Sequence, residues 1–152
     1  MPFETRLFIK TGLVYLLLTF VVGATLLALE AWHAAIPFIV GVEHGHLGFV
    51  GWLVNVVIGV ALWMFPLDRS RFPDRQGRYP SHVPMWCFGL LNVGLVLRLG
   101  LEPPVALGNG SPLLGAGLIL SGLLQLAAIV LFVSIVWHRT RGPRAPAEQS
   151  AA

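Results

Sequence analysis

Five histidines and one cysteine carry most of the chemistry open to this 152-residue chain. His33, His44 and His46 lie close together in the sequence, whereas His82 and His138 stand singly at the ends of other apolar runs. Cys87, being alone, excludes an intrachain disulfide and a cysteine-cluster metal site. His44 and His46 are two residues apart, which on a helix is about 200° of rotation. Their rings therefore point to opposite faces, whereas a pair gripping one small ion needs a spacing of three or four. Two opposed imidazoles suit two separate acceptors, one on each side of the helix. In a membrane the natural large acceptor is heme, whose iron takes neutral imidazole and whose porphyrin edge is apolar. The plain alternative is two interfacial histidines that only form hydrogen bonds. No Ser-His-Asp arrangement, paired catalytic carboxylates or Gly-Lys-Ser/Thr phosphate loop is present, so hydrolase and transferase chemistry has no support.

The elements that must hold these residues follow from composition. Apolar residues make up 56% and charged residues 11%, with a mean hydropathy of +0.78. Soluble domains carry roughly 25% charged residues, so water is not the solvent for most of this surface. Disorder, a disulfide scaffold and a soluble enzyme core are excluded. Four long apolar runs occur, at about 11–31, 44–67, 79–101 and 112–138. Each is on the order of 20 residues, enough to cross about 30 Å of hydrocarbon, and none alternates as a membrane strand would. The expected fold is all-α, a four-helix transmembrane bundle over 1–141, with a disordered cytoplasmic tail over 142–152. The first run exceeds the 7–15 residues of a signal-peptide core, so it reads as a retained anchor.

The net charge of +3 and pI near 9.8 would suggest nucleic acid in a soluble protein. The cations, however, gather at one side. Arg6 and Lys10 precede the first helix, Arg69, Arg71, Arg75 and Arg78 join the second to the third, and Arg139, Arg141 and Arg144 follow the fourth. The other two connections hold Glu30, Glu43 and Glu102 but no cation. By the positive-inside rule both termini are cytoplasmic, which accounts for the basic pI without nucleic acid. His33, His44 and His46 then lie at the outer end, where an ionisable residue just inside a span marks a functional site. Asn55, Asn92 and Gln125 read as interhelical hydrogen-bonding groups. Cys87 reads as a small buried residue. Most tryptophans read as an interfacial belt, with Trp52 deeper and able to face a porphyrin.

The second run reads His44-Gly45-His46-Leu47-Gly48-Phe49-Val50-Gly51-Trp52, then Asn55, Gly59 and Trp63-Met64-Phe65-Pro66-Leu67. It resembles the tenth transmembrane helix of the heme–copper oxidase catalytic subunit and its nitric-oxide-reductase relatives. That helix opens at the outer face with His-x-His, runs through spaced glycines, and ends in an aromatic-Phe-Pro-Leu-like exit. The resemblance implies that His44 ligates a high-spin heme and His46 a low-spin heme. It also implies that Arg98, at the outer end of the third helix, pairs with a heme propionate. From the residues alone Arg98 could equally snorkel to the interface or meet Glu102, Glu30 or Glu43.

Departures from the family limit what the chain could do. The three further histidines that bind oxidase copper are missing, so no binuclear copper site and no oxygen reduction by this chain alone is expected. Each iron lacks a sixth ligand unless His33, a second copy of the chain or a gas supplies it. The expected function is therefore a b-type heme membrane protein of a bacterial cytoplasmic membrane, homo-oligomeric, with a respiratory electron donor or subunit as partner. It would transfer electrons or bind nitric oxide or oxygen. The alternatives are a heme-free accessory or assembly subunit of a respiratory oxidase and a copper-handling protein.

Overall fold

The computed structural model describes residues 1–67, 72, 77, 79–137 and 139–140. Arg69, Arg71, Arg75, Arg78, His138, Arg141, Arg144 and the tail over 142–152 lie outside them. Among the described residues there are four long helices and no strand: α1 (Phe3–Ala31), α2 (Phe38–Met64), α3 (His82–Ala106) and α4 (Pro112–Trp137). Each is long and apolar enough to cross a membrane. Helix is the economical answer for such segments, because it satisfies every backbone group within one strand of chain.

Proline sets several boundaries. α2 follows Pro37 and α4 opens on Pro112, where a missing N–H costs nothing. Ser111 accepts a hydrogen bond from the Leu114 N–H at 3.3 Å, capping the start of α4. α2 ends at Met64 because Phe65 precedes Pro66 and is driven into extended conformation. The helices overrun the expected bounds at three ends and fall short at two, since α2 stops at Met64 rather than 67 and α3 starts at His82 rather than 79. α1 begins at Phe3 rather than near residue 11, with Arg6 and Lys10 exposed on it. α2 begins at Phe38 rather than 44, since Phe38 to Val42 continue the apolar run and Glu43 turns its carboxylate inward. The histidine pair thus lies inside a helix, not at its mouth. α3 continues through Pro103 and Pro104 to Ala106. Those prolines fall in its last turns, where they cost only the bonds to the Leu99 and Gly100 carbonyls.

α1 and α2 pack antiparallel along a seam in which nearly every layer sets a glycine against a larger residue. Gly23 faces His44, Gly48 faces Thr19, Gly51 faces Tyr15, Gly12 faces Val56, and Gly59 faces Phe8 and Ile9. α3 packs on α4 through Gly94 against Ser121 and Gln125, and through Gly117 against Leu101. The absent side chains let the backbones approach, which is the main source of helix association where solvent is as apolar as leucine. Phe8, Ile58, Cys87, Leu91 and Ala128 form the buried centre, with Phe8 edge-on to Phe88. Cys87 is buried and donates its S–H to the Ala128 carbonyl. Most other large apolar side chains face outward, as lipid contact requires; Phe20 is 70% exposed and Leu113 82%.

α2 also departs from regular α geometry. Residues Leu47–Val54 form a π-helical segment between the histidine turn and Asn55. The Asn55 side-chain amide donates to the Val50 and Gly51 carbonyls at 3.2 and 2.9 Å. Asn55 and Asn92 exchange amide bonds across α2 and α3, as their sequence positions predict. At the other end of α2, buried Arg139 donates to the Pro66 and Phe65 carbonyls. It supplies donors and positive charge where a helix C-terminus lacks both.

Candidate functional site at the histidine turn

The two imidazoles do point apart. His44 lies over α1 at Gly23, where an added Cβ would stand 3.0 Å from Cε1 and 3.5 Å from Nε2. The cleft beside it, about 380 Å³, is lined by Thr19, Phe20, Gly23, Ala24, Leu27 and His44. That volume is in the range of small-molecule sites. The Thr19 hydroxyl already donates to the Tyr15 carbonyl at 2.7 Å, so the walls are effectively apolar. The His44 Nδ1 is buried and has no hydrogen-bond partner. The imidazole thus carries a nitrogen that no protein group bonds, enclosed beside an apolar cleft.

His46 faces the other way, into a charged group shared by α2 and α3. Its Nε2 stands 3.4 Å from Glu102 Oε2, at ion-pair distance but without hydrogen-bond geometry. Glu102 is itself held by Arg98, whose Nε donates to Oε2 at 2.6 Å and whose second amino group donates to Oε1 at 3.4 Å. This two-pronged pair is the strong form of an Arg–carboxylate contact. Both carboxylate oxygens of Glu43 are also buried, without a hydrogen-bond partner. Replacing Glu102 with alanine should cost about 2 kcal/mol, less than the ~3–5 kcal/mol of a fully buried pair, because Arg98 loses its two-pronged partner but its side chain is 31% exposed. Thermal unfolding in detergent, compared with the Arg98→Ala/Glu102→Ala double variant, measures it; the double variant should be the more stable of the two.

The remaining sequence candidates are placed elsewhere. Arg98, expected from the resemblance to hold a propionate, has Glu102 as its partner. His33 is exposed in the turn between α1 and α2, at a positive φ of 55°, and is not among the residues lining the His44 cleft. The chain reverses there between Trp32 and Pro37, and that reversal carries the ring outside the bundle. Trp52 is half-buried in the π segment, about two turns from His44, and does not line the cleft either. Two contributors escaped the sequence reading. Gly23 has no local signal, because its importance is the absence of a side chain opposite a residue on another helix. Glu102 was readable only as a partner for Arg98, by their spacing of four, and its contact with His46 needs the fold.

Among the described residues, no group of three or more His, Cys, Asp or Glu side chains is placed to hold a metal ion. No protein-family profile, no curated protein and no solved structure matches this chain.

Proposed function

We propose that this chain is a membrane-embedded b-type heme-binding protein with His44 as the axial ligand. One observation carries the reading: the His44 imidazole lies on an apolar cleft floored by Gly23, with a buried nitrogen that nothing else uses. Bound heme would supply one-electron transfer, or diatomic-gas binding if its second axial position is open. The chain's own part is to present the imidazole, keep Thr19 internally satisfied and exclude polar groups from the cleft. With one imidazole per cleft, the second axial donor comes from another copy of the chain, which makes the protein homo-oligomeric, or from nitric oxide or oxygen. The cation bias supports a reading in which both termini are cytoplasmic and the cleft lies towards the outer face, in a bacterial inner membrane.

The test is optical. Protein purified in detergent from heme-sufficient cells should be red, with a Soret band and resolved b-type bands on reduction. A carbon-monoxide shift of the reduced spectrum would assign gas binding, and its absence electron transfer. Colourless protein would remove the proposal.

A second reading is favoured by the Arg98–Glu102–His46 contact, which explains one histidine as an interhelical clamp without any cofactor. On that reading the chain is a heme-free accessory or assembly subunit of a respiratory oxidase, and it would co-purify with that complex. Copper handling has no three-donor group among the described residues to support it.

A further inference from the structure

The π-helical segment Leu47–Val54 separates the histidine turn from the rest of α2. We infer that it holds about one residue more than a regular α-helix would, that this surplus brings His46 into register with α3, and that Asn55 is the positioning residue that holds it.

Angular arithmetic carries the inference. His46 and Asn55 both meet α3, one at Glu102 and the other at Asn92. They are nine residues apart, which at about 100° per residue places them about 180° out of phase on an unbroken α-helix. An α-helical α2 could not make both contacts. Wider turns with i→i+5 bonds absorb about one residue, and the mismatch then falls to about 80°. The α1 seam makes no such demand, because His44, Gly48, Gly51 and Gly59, which all meet α1, fall within about 80° of one another even on an unbroken α-helix. The wide turns therefore serve the contacts with α3.

Asn55 sits where it can stabilise those wide turns. Wholly buried, it donates from one amide nitrogen to the Val50 and Gly51 carbonyls inside the segment. Asn92, anchored on the Phe88 carbonyl of α3, fixes that amide from the other side. A π segment costs backbone hydrogen-bond quality, and here it is placed immediately beside the histidine it orients. The inference concerns where the His46 imidazole stands, and it bears on the heme reading only through that placement.

Cross-linking tests it without reference to pigment. In a Cys87→Ser background, one cysteine pair replaces His46 and Glu102, and a control pair replaces Gly12 and Val56. A short bifunctional thiol reagent should link both pairs in the otherwise unaltered chain. Deletion of Phe49, whose side chain is exposed, should leave both links intact, because the shortened segment runs as α-helix in the same register. Asn55→Leu should reduce the 46–102 link at least tenfold while sparing the control. Adding the Phe49 deletion to Asn55→Leu should restore it, a rescue that a role confined to bonding Asn92 does not predict. Loss of the 46–102 link on deleting Phe49, with or without loss of the control, overturns the inference. So does an unchanged link in Asn55→Leu, or failure of the rescue. Colourless protein with these cross-link results would refute the heme reading and leave the positioning device standing.

Discussion

Replacing His44 with alanine is expected to abolish heme retention, leaving detergent-purified protein with less than a tenth of the parent Soret absorbance per chain. His46→Ala is expected to retain most of it. The asymmetry follows from what each ring faces. His44 has an apolar cleft and an unused buried nitrogen, so its removal takes away the iron donor and nothing else in the cleft can substitute. His46 stands against Glu102, which Arg98 already grips, and an incoming iron would have to compete with that contact. The pyridine hemochrome assay on equal amounts of folded protein measures the difference. If His46→Ala is the colourless variant, the ligand assignment is reversed, and Glu102 becomes the carboxylate that orients a metal-bound imidazole through its other nitrogen. If neither loses colour, the iron is bound elsewhere.

The second large effect is on stability and lies away from the histidines. Gly94→Val should destabilise the bundle by about 3 kcal/mol, the upper part of the ~1–3 kcal/mol range for overpacking. A Cβ there would come within 2.9 Å of the Ser121 carbonyl oxygen and of Gln125 Cγ, and 3.2 Å from the Gln125 nitrogen. Two of those three neighbours are backbone and cannot rotate away, so α3 and α4 would have to separate. Gly51→Val should cost a comparable amount, because its obstacle is the root of the Tyr15 side chain, Cγ at 2.7 Å and Cβ at 3.0 Å from the new Cβ, and a Cβ cannot rotate away. Gly89→Ala and Gly122→Ala meet nothing within 4 Å and should be neutral, or stabilising by about 0.5–1 kcal/mol through helix propensity. Detergent-resistant folding monitored by thermal circular dichroism ranks the four. An equal loss at Gly94 and Gly89 would mean that the α3–α4 seam is not closely packed.

These contrasts show why some of the site could be read directly and some could not. Chain-local quantities came through. Hydropathy located four spans, and the helices found are those spans, extended at the starts of α1 and α2 and the end of α3 and drawn in at the end of α2 and the start of α3. The opposed directions of His44 and His46 follow from two residues of helical rotation, and they do face different neighbours. Asn55 and Asn92 were recognisable as interhelical bonding groups because an amide inside a span has few other partners. The identity of each neighbour was not chain-local. The Arg98 charge demanded an anion, and Glu102, one turn on in the same helix, meets it; the packing of α2 on α3 is what set that carboxylate against His46. Trp52 and His33 were plausible companions for a heme by position along the chain, and the fold puts neither in the cleft.

By itself, then, the sequence determined the solvent, the number of spans and the opposed aim of the histidine pair, since these depend on composition and on rotation per residue. Tertiary structure decided which imidazole lies on an apolar cleft, which carboxylate stands against the other, and which glycines cannot bear a side chain. It also decided the phase of α2, because nothing local in a run of apolar residues and glycines marks where α turns give way to the costlier π turns. The choice between them is made by carbonyls, amides and ring positions on the neighbouring helices, which no window along one helix contains.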